Sequence, residues 1–350
     1  MKAMRAIRAA PISIALILVA AILALPSVIA PEKLSEKRPE KSDETIKLLF
    51  VGDMMFDRGV ARHADNAGME SLFRGVQGLL EGNDAVIGNL EGTITSEPSI
   101  AQKDHTILHF TFDPAYAALL KGVGFTAVSL ANNHALDFYA GGFEETKKNL
   151  DDAGLLYFGS PNNDTATSLS TSFMIHGKNI CLVGYHDLYT FDPTSALAEI
   201  SALRGDLAES HSAKPKCDFI VLFAHWGDEY ELVQSPRQVE LAHGFIDAGA
   251  DLVIGSHPHV VEPMEIYKGR AIFYSLGNFI FDQGLSFWTE HGLAVKVSLS
   301  VSSGEMKFTL IPTALNHAEA SVASPEDAAK VLKILGASSD NFVLTVPSDI

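Results

Sequence analysis

Five apolar runs each end in residues that bind metals or move protons. Residues 46–51 lead into Gly52-Asp53, and 85–87 into Gly88-Asn89-Leu90-Glu91. Residues 125–130 lead into Asn132-Asn133-His134, with Asp137 close behind. Residues 219–223 lead into His225-Trp226-Gly227-Asp228-Glu229, and 252–254 into Gly255-Ser256-His257-Pro258-His259. Each residue alone has a plainer use: Asp53 as a helix cap, Asn133 in a polar turn, a single histidine in the core. Together, Asp53, Glu91, Asn133, His225, His257 and His259 have the composition of a divalent-metal centre. There, cations activate water and stabilise developing charge. His134 can act as general acid towards a leaving group, oriented by Asp137. Arg58, one turn beyond Asp53, can contact an anionic group or form a surface ion pair. His134, Asp137 and Arg58 are therefore the candidate catalytic residues.

His257-Pro258-His259 is the sharpest local signal. Proline disfavours the helical region for the residue before it. In an extended segment, residues two apart point the same way, so both imidazoles are expected to reach one cluster. The pattern does not suit a serine triad, since no Gly-x-Ser-x-Gly elbow occurs. Neither Gly-x-Gly-x-x-Gly nor a Walker A sequence occurs, which argues against nucleotide cofactors. No Cys-x-x-Cys exists. Cys181 and Cys217 lie in or beside apolar runs and are read as two buried free thiols, although an exported protein could pair them.

These residues need elements that bring five strand ends together. Short β-branched or aromatic runs alternate with helical stretches at 113–121, 142–153, 195–207 and 236–248. That alternation predicts an α/β domain with much parallel pairing. In such sheets, sites form outside the carboxyl ends of the strands. After residue 254 the texture changes. Runs at 260–267, 271–276, 293–300 and 306–311, joined by glycine-containing turns, predict antiparallel sheet. Ser324-Pro325-Glu326-Asp327 opens a helix over 324–336. Two sheets packed face to face with helices outside fit both halves.

The bulk properties narrow the partners. With 350 residues, 47% of them hydrophobic, the chain can bury a large core. Its formal net charge of −17 repels polyanions and argues against nucleic acid as a partner. The same sign favours retention of divalent cations, whose local charge still permits an anionic substrate. Lys2, Arg5 and Arg8 precede an apolar run over 12–25, an export signal. Pro31 disfavours cleavage after Val28 and Ala30. The apolar stretch through Ala30 approaches the ~20 residues that span a bilayer. The preferred reading is an uncleaved signal anchor over 1–30 with the body outside the cytoplasm. A cleaved signal peptide, leaving a secreted or periplasmic body, is the alternative. Residues 31–44, rich in Pro, Lys and Glu, read as a linker.

Six ordered motifs carry a resemblance. They are 52–58, 88–92, Asn132-Asn133-His134-Ala135-Leu136-Asp137, His225-Trp226-Gly227, 255–260 and Tyr274-Ser275-Leu276-Gly277-Asn278-Phe279. Together they resemble the bacterial capsule-synthesis CapA family, also called the poly-γ-glutamate synthesis accessory family, over about 46–315. That family is similar to the calcineurin-like metallophosphoesterases. The resemblance implies a two-sheet β-sandwich flanked by helices, a four-layer αββα arrangement, over 45–315. A C-terminal helix and strand extension over 316–350 follows it.

The resemblance also implies roles. Asp53 resembles the first-motif metal aspartate, and Glu91 stands where the phosphoesterases carry a bridging aspartate. Asn133 resembles the metal-binding asparagine, His134 the catalytic histidine, and His225, His257 and His259 the imidazole ligands. One or two divalent ions (Mn, Zn or Fe) are expected. The expected partners are a cell-surface anionic polymer or phosphoester, the membrane through the N-terminal segment, and other capsule-synthesis membrane subunits. The expected activity is hydrolysis or transfer on such a substrate. The alternatives are a non-catalytic assembly or polymer-binding subunit, or a general periplasmic metallophosphatase. The chain departs from the phosphoesterase pattern at Met55, which replaces a ligand histidine with a thioether, a poor ligand for hard metals. Glu91 is longer than the aspartate it replaces, and Glu262 stands where the family often has Gln.

Overall fold

Strand β1 (Thr45–Met54) is buried along nearly its whole length because it lies in the middle of a sheet covered on both faces. The computed structural model describes residues 44–104, 106–163, 169–189, 191–205, 216–336 and 340–345. The signal segment 1–30 and the linker, apart from Glu44, lie outside them. Among the described residues no helix is long and apolar enough to cross a membrane.

On one side of β1, β2 (Ala85–Leu90) pairs in parallel. A short parallel pair, β3 (Thr93–Ile94) with β4 (Thr111–Phe112), follows in the chain. The large sheet continues in parallel through β5 (Ala127–Ser129) and β6 (Leu156–Phe158). The second sheet runs, in chain order, through β7 (Ser170–Ile175), β8 (Lys178–His186), β9 (Phe219–His225), β10 (Leu252–Ser256), β11 (Met264–Tyr267) and β12 (Arg270–Phe273). In it β8, β9, β10 and β12 are mutually parallel neighbours, while β7 and β11 close the edges antiparallel.

The chain then returns to the large sheet. β13 (Asn278–Ile280) pairs in parallel with the end of β1. β14 (His291–Ser300) and β15 (Glu305–Asn316) extend the sheet antiparallel, and β16 (Glu319–Val322) and β17 (Asn341–Thr345) both pair with β15.

Alternation along each strand sorts the core into layers. Ile46, Leu48 and Phe50 face Ile180, Leu182 and Phe223 between the sheets. Leu49 and Val51 face the other way, against residues of the helices Arg58–Ala67, Ala115–Gly122 and Tyr139–Ala153. Val183 and Leu222 pack against the helices Thr194–Arg204 and Pro236–Asp247. The order is helix, sheet, sheet, helix, the expected αββα sandwich. Each fully buried Leu or Phe contributes about 1.5–3 kcal/mol. The C-terminal helix Pro325–Ile334 starts where expected, with Ser324 Oγ accepting from Asp327 N–H at 3.1 Å.

Three expectations need correction. The later half is not wholly antiparallel, because β12 and β13 each add in parallel to strands laid down earlier. The run 260–267 is a strand only from Met264, since Val261 makes only an isolated bridge to Leu276 and the Glu262 N–H donates to Ser275 O. Cys181 and Cys217 are not free thiols but a disulfide. Cys217 lies two residues before the start of β9, whose neighbour β8 carries Cys181, and their spacing of 36 residues could not show that adjacency.

Candidate metal centre

A bulge at the end of β1 aims Asp53. Phe50 pairs with Ile87, but the next pairing is Asp53 with Asn89, so β1 spends one residue more than β2. Gly52 makes room for this, because a Cβ there would lie 1.8 Å from the Gly277 carbonyl oxygen. Asp53 is wholly buried. Its Oδ1 accepts from Asn89 Nδ2 at 2.8 Å and its Oδ2 from the His257 N–H at 3.1 Å. Burial raises its carboxyl to about 6, against the lowering effect of those hydrogen bonds. Burial also holds the Glu91 carboxyl well above its usual range, and the nearby Asp53 charge adds to this.

Amides and a carboxylate fix the orientation of the candidate catalytic and ligand side chains. Asn132 Nδ2 donates to Leu90 O (2.9 Å) and to Asn89 Oδ1 (3.0 Å), and its Oδ1 accepts from His134 N–H (3.1 Å). That leaves Asn89 Nδ2 facing Asp53. Asn278 Nδ2 donates to the Thr289 carbonyl at 3.0 Å, so its Oδ1 accepts from His259 Nδ1–H at 2.9 Å. The His259 Nε2 lone pair is then free, 3.7 Å from Glu91 Oε1. His134 follows the same logic. Its Nδ1 donates to Asp137 Oδ2 at 2.8 Å, and its Nε2 lies 3.8 Å from Glu91 Oε1. Asp137 is itself held by the Phe110 N–H at 2.7 Å, and the Phe110 ring packs 4.4 Å from the imidazole. His225 Nδ1 lies 3.0 Å from Ser256 Oγ, and its Nε2 lies 2.9 Å from Asn133 Oδ1.

Burial pushes His257 and His259 down to about 3, and His225 well below its usual value, with neighbouring histidines acting in the same direction. These are neutral imidazoles, the form that ligates metals. Ligand atoms of Asp53, Glu91 and His225 all lie within 4.8 Å of one another, as do those of Glu229, His257 and His259. Glu91 Oε2 and His257 Nδ1 are buried without a hydrogen-bond partner. Buried carboxylates, neutral imidazoles and unpartnered donor atoms together fit divalent cations, which would supply the missing positive charge. Manganese, zinc and iron all suit such a mixed N/O set.

Arg58 sits at the mouth. Its guanidinium pairs with Asp282 and lies over the rings of Phe110 (4.8 Å) and Phe281 (5.6 Å). A cavity of about 370 Å³ opens here, lined by Arg58, Glu91, His134, Tyr230 and His259 among others. The structure thus gathers Asp53, Glu91, Asn133, His134, Asp137, His225, His257, His259 and Arg58 at one end of the sandwich.

Two details differ from expectation. His257 and His259 do not share an extended segment: their φ values are +99° and +57°, and a sharp loop brings their rings to 5.9 Å. The sequence also assigned no role to Asn89, Asn132, Ser256 or Asn278. Each lies within the quoted motifs, but only partners distant in sequence reveal what it orients. Met55 is turned away, its sulfur accepting the Asp57 N–H at 3.0 Å within the helix-side core.

The sequence profile of the family described as bacterial capsule synthesis protein PGA_cap matches residues 47–283, more than half of the chain. The chain belongs to that family. This capsule-synthesis family member is 34% identical over 287 residues to the PGA biosynthesis protein CapA of Bacillus subtilis, covering 79% of this chain and 73% of that protein. It is 33% identical over 286 residues to the capsule biosynthesis protein CapA of Bacillus anthracis, covering 79% and 67%. Among solved structures, a novel phosphatase from Mycoplasma pneumoniae is similar with a TM-score of 0.46 at 16% identity, over 84% of this chain and 99% of that one.

Proposed function

We propose that this family member is a divalent-metal-dependent hydrolase or transferase of capsule or poly-γ-glutamate biosynthesis, acting on a cell-surface polymer or phosphoester. One observation carries the reading. The oriented His134–Asp137 pair opens onto the same cavity as Glu91 and His259, two of the proposed metal ligands. Asp53, Glu91, Asn133, His225, His257 and His259 would hold the cations. Bound cations would activate water or a polymer end and stabilise charge on a phosphoryl or acyl oxygen.

The protein's own groups do the rest. Asp137 keeps the proton on His134 Nδ1, so Nε2 faces the cavity to exchange a proton with the reacting group. Arg58, with its Nε unpartnered, can orient an anionic group. The cavity shares Arg62, Phe281, Asp282 and Gln283 with a neighbouring one of about 560 Å³, which suits a long substrate. The segment 1–30 supports export with membrane anchoring, and the Cys181–Cys217 disulfide accords with an oxidising compartment.

A second reading, a non-catalytic assembly subunit, is favoured by the withdrawal of Met55 from the centre. Metal analysis and a screen of phosphoesters and γ-glutamyl polymers separate the two. The enzyme reading expects metal-dependent turnover that His134→Ala abolishes without loss of metal. Bound metal with no turnover of any such substrate would favour assembly, and a protein that takes up no metal would defeat the metal reading.

A further inference from the structure

The donor set implied by the sequence is one ligand short, since Met55 points into the core. The loop after β9 brings in Glu229. Its carboxylate lies within 4.8 Å of ligand atoms of both His257 and His259.

That loop is tightly fixed. Trp226 is buried, its N–H donating to Ser256 O at 3.1 Å and its indole N–H to Tyr274 O at 2.8 Å. Gly227 then turns the chain at φ +87°, where a Cβ would also meet the Gln238 side chain at 2.7 Å. Tyr230 holds φ +68°, an uncommon value for a bulky residue. Its N–H donates to Pro258 O at 2.8 Å, and its hydroxyl accepts from Gln283 Nε2 at 3.2 Å. The peptide carrying Glu229 is thus tied to the proline between the two histidines. Strain of this kind persists where surrounding contacts over-determine it, and it clusters at ligand clamps.

A second observation points to a ligand here. His257 is 6% exposed, and its Nδ1 is buried with no partner.

We propose that Glu229 is a metal ligand, forming with His257 and His259 a second cation position beside that of Asp53, Glu91 and His225, and supplying the donor that Met55 does not. The proposal rests on the metal-dependent reading above. Exchanging an imidazole for a carboxylate makes the position harder, and so more favourable to manganese.

The test loads full-length wild type, Glu229→Gln, Glu229→Ala and Asp53→Ala with manganese. It reads metal content after desalting, and the EPR signal. Wild type is expected to hold a magnetically coupled manganese pair. Both Glu229 variants are expected to lose one equivalent and show isolated manganese, with an unchanged melting temperature in the metal-free state. Either Glu229 variant keeping the wild-type content and coupled signal, while Asp53→Ala loses metal, overturns the Glu229 assignment alone. A wild type that takes up no manganese overturns the metal-dependent reading, and this proposal with it.

Discussion

At the residue scale, the centre depends on side chains that have only one way to face. Leu90 O, Thr289 O and the Asp137 carboxylate can only accept, and they dictate the orientations of Asn132, Asn278 and His134. Asp137→Asn tests this directly. An amide in that place can donate to His134 Nδ1 and stabilise the wrong tautomer. Turnover is expected to fall by roughly 10²–10⁴-fold, the usual contribution of a positioned acid or base. Metal content should stay at the wild-type level, because His134 and Asp137 lie outside the proposed ligand set. An equal loss of metal would show that the pair holds the ligands rather than the proton.

At the element scale, five strands end in the groups that meet. Their parallel pairing within each sheet brings these ends to one edge, as open α/β sheets do. The bulge at Gly52 is the most exacting feature. Through it Asp53 reaches Asn89, and its N–H donates to Gly277 O at 3.0 Å. Gly52→Ala would drive a Cβ into the Gly277 carbonyl. Overpacking of that kind costs about 1–3 kcal/mol. The variant is expected to melt lower and to bind manganese more weakly, both measurable by thermal denaturation with and without the metal. Unchanged metal affinity would mean that the bulge does not set the position of Asp53.

At the scale of the whole molecule, a net charge of −17 favours divalent cations but also makes buried acids costly. Glu262 is such an acid. Its Oε2 accepts from Gln238 Nε2 at 2.7 Å, its Oε1 has no partner, and burial raises its carboxyl from 4.5 to about 8. The folded state therefore binds a proton that the unfolded state releases. Its contribution is fully present below pH 4.5 and is lost as pH rises to about 8. The slope is about 1.4 kcal/mol per pH unit, which over that shift totals on the order of 5 kcal/mol. Glu262→Gln should remove this decline and raise the melting temperature of the metal-free protein, most of all at about pH 9. Denaturation curves at about pH 5 and about pH 9 measure it. An unchanged difference between the two would show that Glu262 ionises in the folded protein at little cost.

The sequence by itself determined the layers and named most of the residues that the fold brings together as the candidate site. The apolar alternation of β1, β2, β9 and β10 is local information, and so is the placing of Asp53, Glu91, Asn133, His225 and His257 just where each apolar run stops. What only the tertiary structure decided are relations between residues far apart in the chain. These include the disulfide between Cys181 and Cys217, the parallel addition of β12 and β13, and the left-handed loop that replaces an extended His257-Pro258-His259. The turning of Met55 into the core and the approach of Glu229 to the histidines also belong here. Periodicity reports which face of a strand is buried. Which neighbour meets that face, and how an amide 40 residues away is turned, depends on packing and hydrogen-bond partners that exist only once the sheets have closed on each other.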